Sequence, residues 1–382
     1  MIELSKKVNS IEISGIRKFY NKVAEVPGAI SLTLGEPDFK IPAEVKEAMK
    51  SAIDENKTTY TPNAGIMPLR QEIAAYLNGD GRNYTASEIC VTVGGSEGIS
   101  DIFQTVLNEG DKVLIPDIAY VAYESCVKLA GGTVINYPLL SDLSVDMKAL
   151  REIIEREKPK VIVVSYPSNP TGMILDREQC EELHDILKNT ETLIISDEMY
   201  ASIAFENFYT ISTYEDLKER MILVGGFSKM FSMTGIRVGF TAAPVEILES
   251  IIKVHQYNVS CAPSIGQYGA LAGLRKSMYH VEYIKKDLKE RMEYVYGRLV
   301  SMGMDVVKPK GAFYIFPSIK KFNMSSEEFC ERLLREAGVA VVPGSAFGKG
   351  GEGYVRISYC YAREQLEKAL DAMEKWVNNS TF

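Results

Sequence analysis

A lysine set among small residues carries the chemistry of this chain. Lys229 sits in Gly226-Phe227-Ser228-Lys229-Met230-Phe231-Ser232-Met233-Thr234-Gly235-Ile236-Arg237-Val238-Gly239, directly after the apolar run Met221-Ile222-Leu223-Val224-Gly225. A primary amine at the end of a strand can reach a carbonyl carbon when small neighbours let a ligand approach the backbone. An isolated Ser-Lys pair is more often a surface turn. Three further polar clusters in the chain shift that balance, and each follows its own apolar run.

The first is Thr92-Val93-Gly94-Gly95-Ser96-Glu97-Gly98, where a strand turns into a helix. Glycines free the backbone N–H groups, Ser96 adds a hydroxyl, and a helix start carries partial positive charge, so the segment can cradle a phosphate. The second, Ser168-Asn169-Pro170-Thr171-Gly172, is a turn that holds an amide side chain rigidly. The third, Ser196-Asp197-Glu198-Met199-Tyr200, offers an acid that either caps a helix or faces a ring nitrogen.

The elements that must position these clusters alternate in type. Strands are expected at 89–93, 113–115, 133–137, 161–165, 192–196, 221–225 and 238–242, several of them continuous apolar runs suited to burial on both faces. Helical patterns such as 97–107, 147–156 and 177–188 fall between them, which predicts an α/β fold with a mostly parallel sheet and helices on both faces. From about Tyr283 the pattern changes to a charged helix, short strands at 311–316, 339–342 and 353–358, and a closing helix to Trp376. That tail reads as a smaller α+β domain. A chain of 382 residues fits one large domain plus a smaller one.

Composition narrows the function classes. The net charge of −8 argues against nucleic acid as the main partner. Six scattered cysteines with no Cys-x-x-Cys pair, and only three histidines, argue against a metal site and for reduced thiols. Neither a signal-peptide core nor a membrane-length apolar run is present, so a cytoplasmic protein with no membrane partner is expected.

Taken in order, Asn169, Asp197, Lys229 and Arg237 resemble the site of the fold type I pyridoxal-phosphate enzymes, specifically the class I/II aminotransferases. The resemblance runs from Leu34-Gly35-Glu36-Pro37-Asp38 through Gly311-Ala312-Phe313-Tyr314 to Tyr354-Val355-Arg356-Ile357-Ser358. It implies pyridoxal 5′-phosphate as cofactor and amino and 2-oxo acids as substrates. It also implies a large cofactor-binding domain over 46–282 and a small domain built from 1–45 and 283–382.

By the same resemblance Lys229 bonds the cofactor aldehyde and then moves the Cα proton. Asp197 partners the pyridine nitrogen and keeps it protonated. Asn169 and Tyr200 bond the phenolic oxygen, and Tyr120 stacks on the ring. Gly95, Ser96 and Arg237 hold the phosphate. Tyr60 reaches the phosphate of a neighbouring subunit, which implies a homodimer with shared active sites. Arg356 clamps the substrate α-carboxylate with help from Gly35 and Asn169, and the small domain carrying it swings over the substrate. This chain departs from the pattern at Gly226, where some branches carry a phosphate-bonded serine. One phosphate contact is thereby open, with Ser228 as the candidate replacement.

Lys253-Val254-His255-Gln256-Tyr257-Asn258 and Ile13-Ser14-Gly15-Ile16-Arg17-Lys18-Phe19 are similar to a narrower group, the bacterial N-acetyl-LL-2,6-diaminopimelate aminotransferases. That group would use glutamate as donor in lysine biosynthesis. Proteins called aspartate or aromatic aminotransferases share the branch, so both alternatives stay open. Arg17 and Lys22 are candidates for reading the distal group. Two rivals remain: a carbon–sulfur β-lyase using the same lysine, and a cofactor sensor fused to a DNA-binding region, for which only about thirty residues precede Leu34.

Overall fold

The computed structural model describes residue 2 and residues 4–379, so residues 1, 3 and 380–382 of the expected small domain lie outside the described residues. Its strands are β1 Ile30–Ser31, β2 Ile89–Thr92, β3 Lys112–Pro116, β4 Thr133–Tyr137, β5 Val161–Ser165 and β6 Leu193–Asp197. They continue with β7 Met221–Gly226, β8 Gly239–Ala242, β9 Tyr314–Ile315, β10 Val339–Ala340, β11 Val342–Pro343 and β12 Val355–Ser358. β2 to β8 form one seven-stranded sheet in the order β2-β8-β7-β6-β5-β3-β4. All seven expected strands are present to within one or two residues.

Six of these strands run one way, and β8 is antiparallel to both its neighbours. The βαβ pattern expected from the sequence therefore fails at one place. After β7 the chain makes only a helical turn (Phe227–Met230) and a 3₁₀ turn (Thr234–Ile236) before returning as β8. No crossover helix is present to carry it back, so it must pair antiparallel. Gly226 faces Gly239 in that register. The Lys229 segment is thus a loop clamped at both ends by hydrogen-bonded strands.

The reversed order of the sheet gathers strand ends from distant parts of the chain. The segments after β2, β5, β6 and β7 all leave the sheet at its carboxyl edge, where ligands collect in such folds. Helices cover both faces, and two apolar cores form there. One contains Leu114, Ile162, Leu183 and Ile194, the other Val113, Val163, Ile195 and Ile222. Alternate residues of the same strands thus enter opposite cores, as buried strands require.

A third core joins Phe19 and Leu32 from the start of the chain to Phe313, Val355, Leu366 and Trp376 from its end. The expected strand at 339–342 is in fact two. β10 pairs with β1 in parallel, whereas β11 pairs with β12, which in turn pairs with β9. β1 is two residues long, too short for any periodic signal. The expected strand at 311–316 shrinks to β9. The charged helix begins at Met278 and runs 24 residues to Ser301, about 36 Å at 1.5 Å per residue. No helix among the described residues is long and apolar enough to cross a membrane.

A buried ion pair fixes the carboxyl end of β6. Glu198 pairs with Arg82, and its other oxygen accepts from Thr210 Oγ1 at 2.7 Å, Ser196 Oγ at 3.0 Å and Ser212 Oγ at 2.5 Å. Arg82 Nε also donates to Ser212 Oγ at 2.8 Å. Removing one partner leaves the other charge buried without compensation, which costs about 3–5 kcal/mol. Glu198→Ala and Arg82→Ala should each lower unfolding stability in urea by about that amount. The double variant should lose clearly less than the sum, because the two side chains share one network; strict additivity would contradict this account.

Candidate active site

Lys229 lies on the short turn after β7, and its Nζ donates to the Gly35 carbonyl at 2.5 Å. Burial is the main cause that lowers its amine to about 8. Arg237 and Arg356 add to that effect, and Cys360 and Glu36 oppose it. Asp197 ends β6 and is buried. Its Oδ2 accepts from the Tyr123 hydroxyl at 2.6 Å and its Oδ1 from the Met199 N–H at 3.1 Å. Burial raises its carboxyl, and these two hydrogen bonds pull the other way.

Arg356, on β12, is 1% exposed. Its Nη1 donates to Asn169 Oδ1 at 2.9 Å, its Nη2 to the Thr33 carbonyl, and its Nε has no partner. The guanidinium lies between the Tyr314 and Phe347 rings, 4.3 and 4.8 Å from their centroids. No carboxylate of the described residues ion-pairs with it. A buried cation with a free donor is an anion site awaiting an anion.

Around the start of the helix Gly94–Val106 the backbone approaches other groups so closely that glycine is required. Gly94 has φ +72°, and a Cβ there would fall 2.6 Å from Arg237 Nη2. At Gly239 a Cβ would meet the Gly94 carbonyl carbon at 2.7 Å. Arg237 itself takes φ +61° and donates from Nη1 to the Thr234 carbonyl at 2.8 Å. The guanidinium, the helix N-terminus and Ser96 thereby face one space.

That space is a cavity of about 1990 Å³. Of the candidate site residues, Gly35, Gly95, Ser96, Tyr120, Asn169, Asp197, Tyr200, Ser228, Lys229, Arg237 and Arg356 all line it. Tyr60 does not; it is 87% exposed outside the cavity. Arg17 and Lys22 both line the cavity; Lys22 is ion-paired with Glu331, whereas Arg17 has a ring contact with Tyr20 at 5.8 Å and no ion pair among the described residues. A larger residue at Gly226 would be tight: a Cβ would sit 3.0 Å from Met199 Cε and 3.1 Å from Gly239 Cα, so these neighbours would have to give by a few tenths of an ångström. Ser228 is the buried hydroxyl nearby.

Two site residues escaped the sequence reading. Tyr123 supports Asp197, and Tyr314 places its hydroxyl 3.0 Å from that of Tyr200. Tyr123 follows Tyr120 by three positions, one helical turn, which was the available signal. Tyr314 was visible only as part of an aromatic run. The Thr33 carbonyl has no sequence signal at all.

Comparison with known proteins places this geometry. Residues 27–373 match the family aminotransferase class I and II. The chain is 46% identical to the probable N-acetyl-LL-diaminopimelate aminotransferase of Bacillus subtilis, over 98% of this chain and 95% of that one. It is 42% identical to the aspartate aminotransferase of Pyrococcus abyssi, over 97% of each. The solved aromatic aminotransferase from Pyrococcus horikoshii OT3 superposes with a TM-score of 0.89 at 39% identity, over 94% of this chain and 98% of that one. The chain belongs to the class I and II aminotransferase family, and it is an aminotransferase.

The lowered amine of Lys229 can be tested directly. Competitive acetylation followed by mass spectrometry should show Lys229 reactivity in the cofactor-free protein rising through about pH 8. Co-titration of Lys229 with the surface lysines would contradict the desolvation argument.

Proposed function

We propose that this aminotransferase uses pyridoxal 5′-phosphate, takes its amino group from glutamate, and passes it to an acetylated 2-amino-6-oxopimelate, forming N-acetyl-LL-2,6-diaminopimelate in lysine biosynthesis. The observation that carries the cofactor assignment is one of unmatched charge. The cavity holds a buried carboxyl without a cation (Asp197), a buried guanidinium without an anion (Arg356) and a desolvated lysine. A phosphorylated pyridinium aldehyde and an amino-acid carboxylate fit that set of charges.

Lys229 would hold the cofactor covalently, Asp197 would face its ring nitrogen, and Asn169 and Tyr200 its phenolic oxygen. Tyr120 would cover the ring, and Gly95, Ser96, Ser228 and Arg237 would bind the phosphate. When bound, pyridoxal phosphate supplies the carbon that carries the amino group and a ring that accepts the electron pair released at Cα. Lys229 Nζ, its amine lowered by burial, would take the proton from Cα and give it up at the carbon that receives the amino group, and would run the same transfer in reverse in the second half of the cycle. Tyr123 holds Asp197 in place through its hydroxyl. Arg356, oriented by Asn169 and the Thr33 carbonyl, fixes the substrate carboxylate and hence the direction of the Cα–H bond.

The exposed position of Tyr60 supports the homodimer reading, in which it completes the partner's phosphate site. The division into 46–282 and the paired segments 1–45 and 283–382 is part of the same proposal, with Arg356 carried by the smaller unit. The acceptor assignment is supported by the 46% identity to the B. subtilis relative bearing that name and by Arg17 in the cavity lining, which has no ion pair among the described residues.

Adding glutamate alone to the cofactor-loaded protein should bleach the visible band and release 2-oxoglutarate. Lys229→Ala should abolish this while the protein stays folded. Arg356→Lys should raise the glutamate KM about 10- to 100-fold, the worth of a bidentate charged contact. N-acetyl-LL-2,6-diaminopimelate should outperform aspartate and phenylalanine as donor in the reverse direction. If either of those two is preferred tenfold, the acceptor assignment fails and the aminotransferase stands. Pyruvate and ammonia from cystathionine, with no response to glutamate, would support the lyase instead.

A further inference from the structure

His255 is fully buried at the end of the helix Val245–Asn258, outside the cavity. Both ring nitrogens face acceptors. Nδ1 lies 2.8 Å from Glu97 Oε1 and 3.6 Å from Asp101 Oδ2, and Nε2 lies 3.0 Å from the Asn63 carbonyl. A neutral ring carries one proton, so either tautomer would point a lone pair at a buried oxygen. With Glu97 ionised, as it is at pH 8, only the doubly protonated ring satisfies both sides.

The acceptors belong to segments that matter to the phosphate end of the site. Glu97 is in the first turn of the helix that starts at Gly94, and its Oε2 accepts from the Val93 N–H at 2.8 Å. Asp101, one turn on, accepts from Asn258 Nδ2 at 2.7 Å. Asn63 lies three residues after Tyr60, in a loop also held by Gln267 on Thr61 Oγ1 at 3.0 Å and by Asn63 Nδ2 on the Ser260 carbonyl at 2.7 Å. One ring therefore ties the start of the phosphate-facing helix to the loop that presents Tyr60.

We propose that His255 is a buried imidazolium that acts as a positioning residue, locking the Gly94–Ser96 turn and the Tyr60 loop in the geometry that retains the cofactor phosphate. The phosphate half of this inference rests on the cofactor reading above; the protonation half does not.

Burial alone would lower the imidazole, but its hydrogen bond to Glu97 and the nearby Glu97 and Asp101 charges outweigh that and push it up to about 9. Burial raises Glu97 to about 7; burial also works to raise Asp101, but the nearby His255 ring and the bond from Asn258 outweigh it and hold that carboxyl low. Among the described residues the Cys90 thiol on β2 also faces the cluster. Burial raises it, and it stays neutral. The sign follows. His255 has a folded value above its ordinary 6.5, so its contribution is complete below that value and is lost as pH rises through about 9.

The chain has three histidines, so the ¹⁵N-imidazole spectrum is simple and His255→Gln assigns it. We expect wild-type His255 to show both nitrogens protonated at pH 8 and to titrate near 9, with or without cofactor. Glu97→Gln should lower that titration, which keeps the test available if His255→Gln folds poorly. In holoenzyme dialysis, His255→Gln should weaken pyridoxal phosphate retention about tenfold, since one amide cannot satisfy both sides, while kcat at saturating cofactor changes less than twofold. The wild type should lose retention above pH 9 and the variant should not. A neutral ring at pH 8, or a metal ion bound stoichiometrically and lost in His255→Gln, overturns the imidazolium. An imidazolium with cofactor retention unchanged in the variant overturns the positioning role. No cofactor binding by any form overturns the cofactor reading and leaves the protonation result intact.

Discussion

Burying charge without its partner is the constraint around which this molecule is arranged. Asp197 and Arg356 sit almost fully out of water, yet neither has an opposite charge against it. Such groups are expensive unless hydrogen bonds hold them and a ligand completes them. The protein meets the first condition with neutral donors and acceptors: Tyr123 and the Met199 N–H for the carboxylate, Asn169 and the Thr33 carbonyl for the guanidinium. In the proposed function the second condition falls to the cofactor and the substrate carboxylate.

Away from the cavity, two buried charges of the same fold do have partners. Glu198 follows Asp197 directly, yet it is locked to Arg82 and three hydroxyls. His255 has acceptors at both nitrogens. Adjacent residues on one strand thus serve opposite purposes, one saturated to fix the backbone and the other left incomplete to bind. The rigid neighbours make the incomplete ones precise in position. The antiparallel return of β8 serves the same end, because it closes the Lys229 loop at Gly226 and Gly239 and brings Arg237 against Gly94.

Much of this was legible before any coordinates. Buried strands such as β5 announce themselves as continuous β-branched runs, and the polar clusters after them mark the sheet's carboxyl edge. What failed to show was short or long-range. β1 has two residues, and the 339–342 run hides a switch from one sheet to another at Val341. Tyr123 gave no sign of its role, since nothing local shows which way a hydroxyl will point.

The sequence by itself determined the chemical groups and their order: an amide, an acid, an amine and a guanidine, each at a predictable strand end or turn, and a second guanidine on a late strand. Those are local properties, set by residue type and the period of the surrounding run. Only the tertiary structure decided which groups meet and in what state of charge. Arg356 finds Asn169 across 187 positions, Lys229 loses its water to become a weaker base, and Lys22 is claimed by Glu331 while Arg17 has no ion pair among the described residues. Burial and partnership depend on the whole packed chain, and no window of residues contains them.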